Sequence, residues 1–236
     1  MLRPLVLATA ASALFGVATS AQAIIVEIDP FNTGFDATNP GGPGAPVILS
    51  GTDSATTTAT LTNGNVRNAT FEIVANGSPG GANNADIRIA DGELQIDNQS
   101  QVRSRITLTY DVGTSLDDAL ASVGGSAAAR STLNIRTVFA DAPRTLSLFV
   151  NGELADTQIV TQSVGSGGTL LTQLSYSAAL LDNGMTDTLS LVINSGAGSD
   201  YRIEILNAEF AVPAPAALAL FGLGLGLVGL RRTQRA

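Results

Sequence analysis

Ile106, Leu108, Tyr110 and Val112 alternate with Arg105, Thr107, Thr109 and Asp111, so every second side chain is apolar. A period of two sends the apolar set to one face of a strand and the polar set to the other, whereas a helix would scatter both. The same rhythm recurs along the chain. Phe71 and Ile73 flank Glu72, Ile87 and Ile89 flank Arg88, and Leu94 pairs with Ile96. Later come Leu133, Ile135 and Phe139, then Leu146, Leu148 and Val150, then Leu189, Leu191 and Ile193. In the last run, Tyr201–Ala211, Ile203 and Ile205 share one face while Leu206, Ala208 and Phe210 share the other, which predicts a bulge near Leu206.

Turn chemistry separates these runs. Asn63-Gly64 and Asn151-Gly152 tolerate positive φ and read as hairpin turns, and Asp91-Gly92 and Asp182-Asn183-Gly184 also turn the chain. Ser115–Val123 is the one helical candidate in the body, with Ser115 and Asp118 spaced as a capping box and Gly124-Gly125 as its stop. It reads as a short surface turn of helix. About ten to twelve short strands with such connections predict an all-β, antiparallel β-sandwich with a jelly-roll-like path.

The two ends carry a different code. Residues 1–23 combine Arg3, the apolar stretch Leu5–Val17 and the small-x-small site Ala21-Gln22-Ala23, the pattern of a cleaved signal peptide. Cleavage is expected at Ala21 and Ala23, with signal peptidase as the partner. At the other end, residues 212–236 open with Val212, Pro213, Ala214 and Pro215. Ala216–Leu230 has no charged or hydrogen-bonding side chain, and Arg231, Arg232 and Arg235 follow. Such an order reads as an apolar helix whose arginines stop transfer on the cytoplasmic side.

This tail resembles the PEP-CTERM sorting signal of Gram-negative bacteria. Ala214 stands where that family usually has Glu. The resemblance implies recognition by an exosortase-like membrane transpeptidase, transient anchoring in the inner membrane and an envelope or extracellular setting associated with exopolysaccharide. Between the ends, residues 24–46 form an irregular Gly/Pro-rich segment that Phe31 and Phe35 would pin, and residues 47–211 the sandwich. Over its second half, Thr145–Val150, Leu189–Ile193 and Tyr201–Phe210 look like the strands of carbohydrate-binding jelly rolls.

All twenty acidic residues lie in the body, against twelve arginines in the whole chain and no lysine; the formal net charge is −8. A surface of this sign has no electrostatic reason to approach nucleic acid. The absence of cysteine excludes disulfides, so apolar burial alone must hold the fold. Without His or Cys there is no serine–histidine triad, thiol nucleophile or imidazole metal site. Carboxylate pairs remain for glycoside hydrolysis: Asp117-Asp118, Asp91 with Glu93, and Asp182 with Asp187. Each is better read as turn or cap chemistry, and the expectation is no enzyme, no cofactor and no metal.

Asp182-Asn183-Gly184 and Asp86 with Asp91 offer oxygen ligands without the spacing of a calcium loop. Tyr110, Tyr176 and Tyr201 lie within strand patterns, Tyr110 on the buried face, and no Trp is present to make a sugar platform. Asn68-Ala69-Thr70 and Asn98-Gln99-Ser100 match the glycosylation sequon. The expected role is that of an exported structural or adhesive surface protein, with a carbohydrate-binding module as the alternative.

Overall fold

The computed structural model describes residues 23–35, 45–90, 92–113, 115–122, 130–165, 167–181 and 186–211. Val212–Pro215, Arg231, Arg232, Arg235 and Ala21 lie outside them, as do Asp91 and Asp182–Gly184. The described residues belong to the body Ile24–Phe210, together with one further residue at each of its ends.

Thirteen strands follow in order: β1 (Ala23–Asp29), β2 (Val47–Ser50), β3 (Ser54–Thr60), β4 (Val66–Asn76), β5 (Asn84–Ala90), β6 (Glu93–Asn98) and β7 (Val102–Gly113). Helix α1 (Ser115–Ser122) precedes β8 (Arg130–Ala140), β9 (Arg144–Val150), β10 (Glu153–Val160), β11 (Leu170–Ser177), β12 (Asp187–Ser195) and β13 (Asp200–Ala211). They form two sheets. One runs β11, β8, β13, β6, β5, β2, with β1 also paired to β13; the other runs β10, β9, β12, β7, β4, β3. The pairings of β9 with β10 and β12, of β7 with β12 and β4, of β3 with β4, of β8 with β11, of β6 with β13 and β5, and of β2 with β5 are all antiparallel.

The last eight strands alone give β6, β13, β8, β11 in one sheet and β7, β12, β9, β10 in the other. First lies beside last and second beside second-to-last, which is the path of a jelly roll. The hairpin β3–β4 and the pair β2, β5 then widen each sheet along one flank. The fold is therefore an antiparallel β-sandwich, as the alternation predicts.

Its core is the set of inward positions from both sheets. Phe71, Ile106, Leu108, Leu148, Leu191 and Ile193 come from one side, and Ile87, Leu94, Ile135, Leu174, Ile203 and Phe210 from the other; all are fully buried. Each such side chain stabilises the fold by about 1.5–3 kcal/mol. In β13 the buried positions switch from Tyr201 and Ile203 to Leu206, Ala208 and Phe210. That change of phase falls at the place where the sequence predicts a bulge, the device by which a strand reverses its inward face.

Three local readings change. Ala23–Asp29 is strand, so the irregular stretch starts at Pro30. Helix α1 is more than a surface turn, since Leu116, Ala119 and Leu120 are buried in the core. Phe139 is half-buried beneath the Arg202 guanidinium, 5.9 Å from the ring centroid, instead of joining the core.

The segment after β1 is pinned from two sides. Phe31 and Phe35 are buried, and Phe35 meets Phe71 edge-on at 5.0 Å. Arg67 on β4 donates to Asp29 Oδ2 at 2.7 Å and to the Thr33 carbonyl at 2.7 Å. Tyr110 on β7 donates its hydroxyl to the same Asp29 oxygen at 3.1 Å. Arg67 and Asp29 are 1 % and 0 % exposed, so the ion pair sits in a low-dielectric setting where each charge depends on the other. Burial and the neighbouring Asp29 carboxylate push the Tyr110 phenol well above its ordinary pKa, keeping it a neutral donor.

Candidate functional site

Strand register, more than any single motif, builds a site on this molecule. Across the outward face of the six-stranded sheet, the pairing aligns Thr58, Asn68, Thr109, Ser190, Phe149 and Leu154 in one row. The next row is Thr56, Thr70, Thr107, Val192, Ser147 and Thr157, and the third is Ser54, Glu72, Arg105, Asn194, Thr145 and Ile159. None of these residues is buried. Twelve of the eighteen positions carry a hydroxyl or carboxamide. Neighbours within a row stand about 4.8 Å apart, and rows repeat about every 6.8 Å along the strands.

Hydrogen bonds within the rows preset the side chains. Thr58 donates to Asn68 Oδ1 at 2.7 Å, Thr109 and Ser190 share a bond of 2.9 Å, and Thr157 donates to Ser147 at 3.0 Å. The one carboxylate and one guanidinium in these rows neutralise each other, with Arg105 3.5 Å from Glu72 and also donating to Asn194 at 2.9 Å. The face is thus hydrogen-bonding and uncharged overall on a strongly acidic chain. Hydroxyls that both donate and accept suit a polyhydroxylated ligand, and pre-ordering lowers the entropy that binding must overcome.

The outward face of the other sheet is charged. Arg136 pairs with Glu204 at 2.5 Å, Arg202 lies 3.9 Å from Glu93, and Arg88 donates to Gln95 at 2.7 Å. Asp86, Asp97 and Asp200 stand opposite one another on three successive strands. Burial, then Asp97 and Asp141, raise Asp200 to about 6, and burial raises Asp86 despite Arg88.

The carboxylates singled out in the sequence scatter. Asp187 is fully buried, takes a 2.9 Å bond from Asn151 and is raised by burial; its expected partner Asp182 lies outside the described residues. Glu93 accepts from Gln95 at 2.8 Å, and Asp91 is outside the described residues. Asp118 lines an open depression of about 390 Å³ with Asp111, Asn63 and Asn65, while its neighbour Asp117 does not. Asp86 stands opposite Asp97, and Asp91 lies outside the described residues. Among the described residues no three acidic groups converge on a metal-sized point.

Tyr110, Tyr176 and Tyr201 are all buried in the core. Asn68 is exposed within the first row, whereas Asn98 is buried and spends its amide on Ser195 and Ser199. The rows themselves were missed in the sequence. Their one trace is the spacing of Thr56 with Thr58 and of Thr107 with Thr109, two residues apart on β3 and β7, strands that flank β4 in the sheet.

No known family profile matches the chain, and neither does any curated protein. Solved structures do. A family 29 carbohydrate-binding module complexed with mannohexaose is 12 % identical, over 81 % of this chain and 93 % of that one, with a TM-score of 0.34. The Stig cyclase Fisc from Fischerella sp. TAU is 10 % identical, over 82 % and 100 %, with a TM-score of 0.40. The CBM22-1 xylan-binding domain from Paenibacillus barcinonensis is 13 % identical, over 84 % and 99 %, with a TM-score of 0.32. Likenesses this distant carry no argument about ligand or activity.

Proposed function

We propose that the chain is an exported carbohydrate-binding jelly-roll module that holds an extended, uncharged polysaccharide across the outward face of its six-stranded sheet. The observation that supports this reading is the registered array of hydroxyls and carboxamides. A step of about 4.8 Å from strand to strand is close to the length of one sugar ring along a glycan. A chain lying along a row would therefore meet a fresh donor and acceptor with each ring. Phe149 and Val192, half-buried among the hydroxyls, offer apolar contact to the ring faces. Without tryptophan in the chain, affinity comes from many weak contacts, and long glycans bind better than short ones.

The rest of the reading comes from the termini. The signal peptide delivers the body outside, and an exosortase-like transpeptidase processes the tail near Val212–Pro215, which places the module at the cell envelope or in the matrix. Affinity electrophoresis through neutral and anionic polysaccharides tests the binding claim. Retardation by at least one neutral polymer is expected, and the Thr107→Ala, Thr109→Ala double variant loses most of it. Equal migration of both proteins through every polymer removes the proposal.

A further inference from the structure

Among the described residues this sandwich exposes five strand edges, and each unpaired edge is a template for another strand. Four of the five are defended. β1, paired only with β13, carries Glu27 and Asp29, and Asn63 and Asn65 donate to its Glu27 and Ile28 carbonyls. β2 is only four residues long and follows Pro46. β10 carries Glu153 and Asp156 and is bulged between Leu154 and Asp156. β11 lies against β10: Asp156 Oδ2 accepts the Ser175 N–H at 2.9 Å, and Gln158 donates to the Gln173 carbonyl.

β3 has none of these devices. Its sequence, Ser-Ala-Thr-Thr-Thr-Ala-Thr, contains no charge and no proline, and all seven residues pair with β4 without a register shift. Among the described residues no strand pairs with its other side. Three of its seven residues are β-branched in the middle, the composition that favours an extended chain.

We propose that β3 pairs antiparallel with β3 of a second copy of this chain, joining two six-stranded sheets about a two-fold axis through Thr57. The register follows from the sequence. Antiparallel partners share a face, and an axis at Thr57 sets Ser54 opposite Thr60, Ala55 opposite Ala59, and Thr56 opposite Thr58. Exposed residues then meet exposed ones, and the inward-facing Ala55 and Ala59 meet each other. A one-residue slip would set outward residues opposite inward ones, and a two-residue slip would leave two residues of each strand without a partner, so the register is specified. Charge selects the same place. Two copies with a formal charge of −8 repel each other over most of their surface, and an uncharged edge lets them approach. The pairing is isologous and closes as a dimer. The hydroxyl rows would continue from one copy into the other.

The chain contains no cysteine, so introduced thiols report without background. Cross-strand neighbours have Cβ atoms about 4.5–5.5 Å apart, within reach of a disulfide after slight adjustment. Purified full-length Thr56→Cys and Thr58→Cys proteins are oxidised separately and as an equimolar mixture. The mixture is expected to give at least fivefold more covalent dimer than either protein alone, because only Thr56 against Thr58 is in register. Association through the apolar tail would crosslink all three samples alike. The Thr56→Lys, Thr58→Lys double variant, which sets lysines opposite lysines, is expected to sediment as a monomer where the parent is a dimer. Equal crosslinking in the three samples, a parent that stays monomeric into the millimolar range, or a lysine variant that remains dimeric overturns the pairing. None of these outcomes depends on added polysaccharide, so failure here is separable from failure of glycan binding.

Discussion

Arg67 is 1 % exposed, and its partners are Asp29 and two backbone carbonyls of the segment after β1. Replacing it with Met leaves Asp29 buried without a counter-charge, and breaking such a pair costs about 3–5 kcal/mol. Urea unfolding of Arg67→Met should show that loss as a lower midpoint with little change of slope. Adding Asp29→Asn to the same protein should restore part of it, because no lone charge then remains inside. Asp200 gives the opposite kind of prediction. Its folded pKa of about 6 exceeds the unfolded value near 3.8. Between those values Asp200 is more protonated in the folded chain than in the unfolded one, so its contribution to stability is fully present below pH 3.8 and is lost as pH rises through about 6. Asp200→Asn should flatten the urea midpoint across that window and raise it at neutral pH. An unchanged slope would show that burial, with Asp97 and Asp141 alongside, does not raise Asp200.

Two hairpins with the same dipeptide show what a strand and its turn can and cannot announce. Asn151 and Gly152 both take positive φ, 51° and 83°, and make the tight turn between β9 and β10 that Asn-Gly predicts. At the other site only Gly64 is left-handed, at 89°. There the Leu61 N–H donates to Asn65 and the Gly64 N–H to Leu61, a three-residue loop ending in a bulge. Asn63 instead turns its amide to the Glu27 and Ile28 carbonyls of β1, a contact 35 residues away that local reading cannot supply. The strands, the change of phase in β13 and the buried Phe31 and Phe35 were legible because each leaves a period-two or composition signal. The burial of α1 and the rows of the six-stranded sheet were not, because both depend on which strands end up adjacent. Asn151→Ala makes the difference measurable. It loses bonds to Leu180, Asp187 and Thr188 and places alanine at positive φ, so a cost of about 2 kcal/mol is expected.

As a whole, the body divides its chemistry between its two broad faces, one charged and one neutral. Binding on the neutral face should be nearly independent of ionic strength between low and physiological salt, since screening acts on charges. Affinity electrophoresis repeated across that range checks this, and strong salt dependence would point to the Arg202 side instead. Mass spectrometry of the protein from its native host should find an N-terminus at Ile24 and a C-terminus close to Val212–Pro215. A chain ending at Ala236 would contradict processing of the tail.

The unequal exposure of Asn68 and Asn98, two of the three sequon asparagines in the chain, matters for anyone producing this protein. A yeast or insect secretion line carries an oligosaccharyltransferase, and its Asn-x-Ser/Thr targets here differ sharply. Asn98 is closed off by Ser195 and Ser199, so it stays bare in any molecule that folds before modification. Asn68 projects from the middle of a strand, beside the Thr58 hydroxyl. Material from such a host would carry its own bulky sugar on the face we propose for glycan binding, and that binding would be blocked although the protein is correctly folded. Enzymatic deglycosylation, or expression of Asn68→Gln, should bring that binding back.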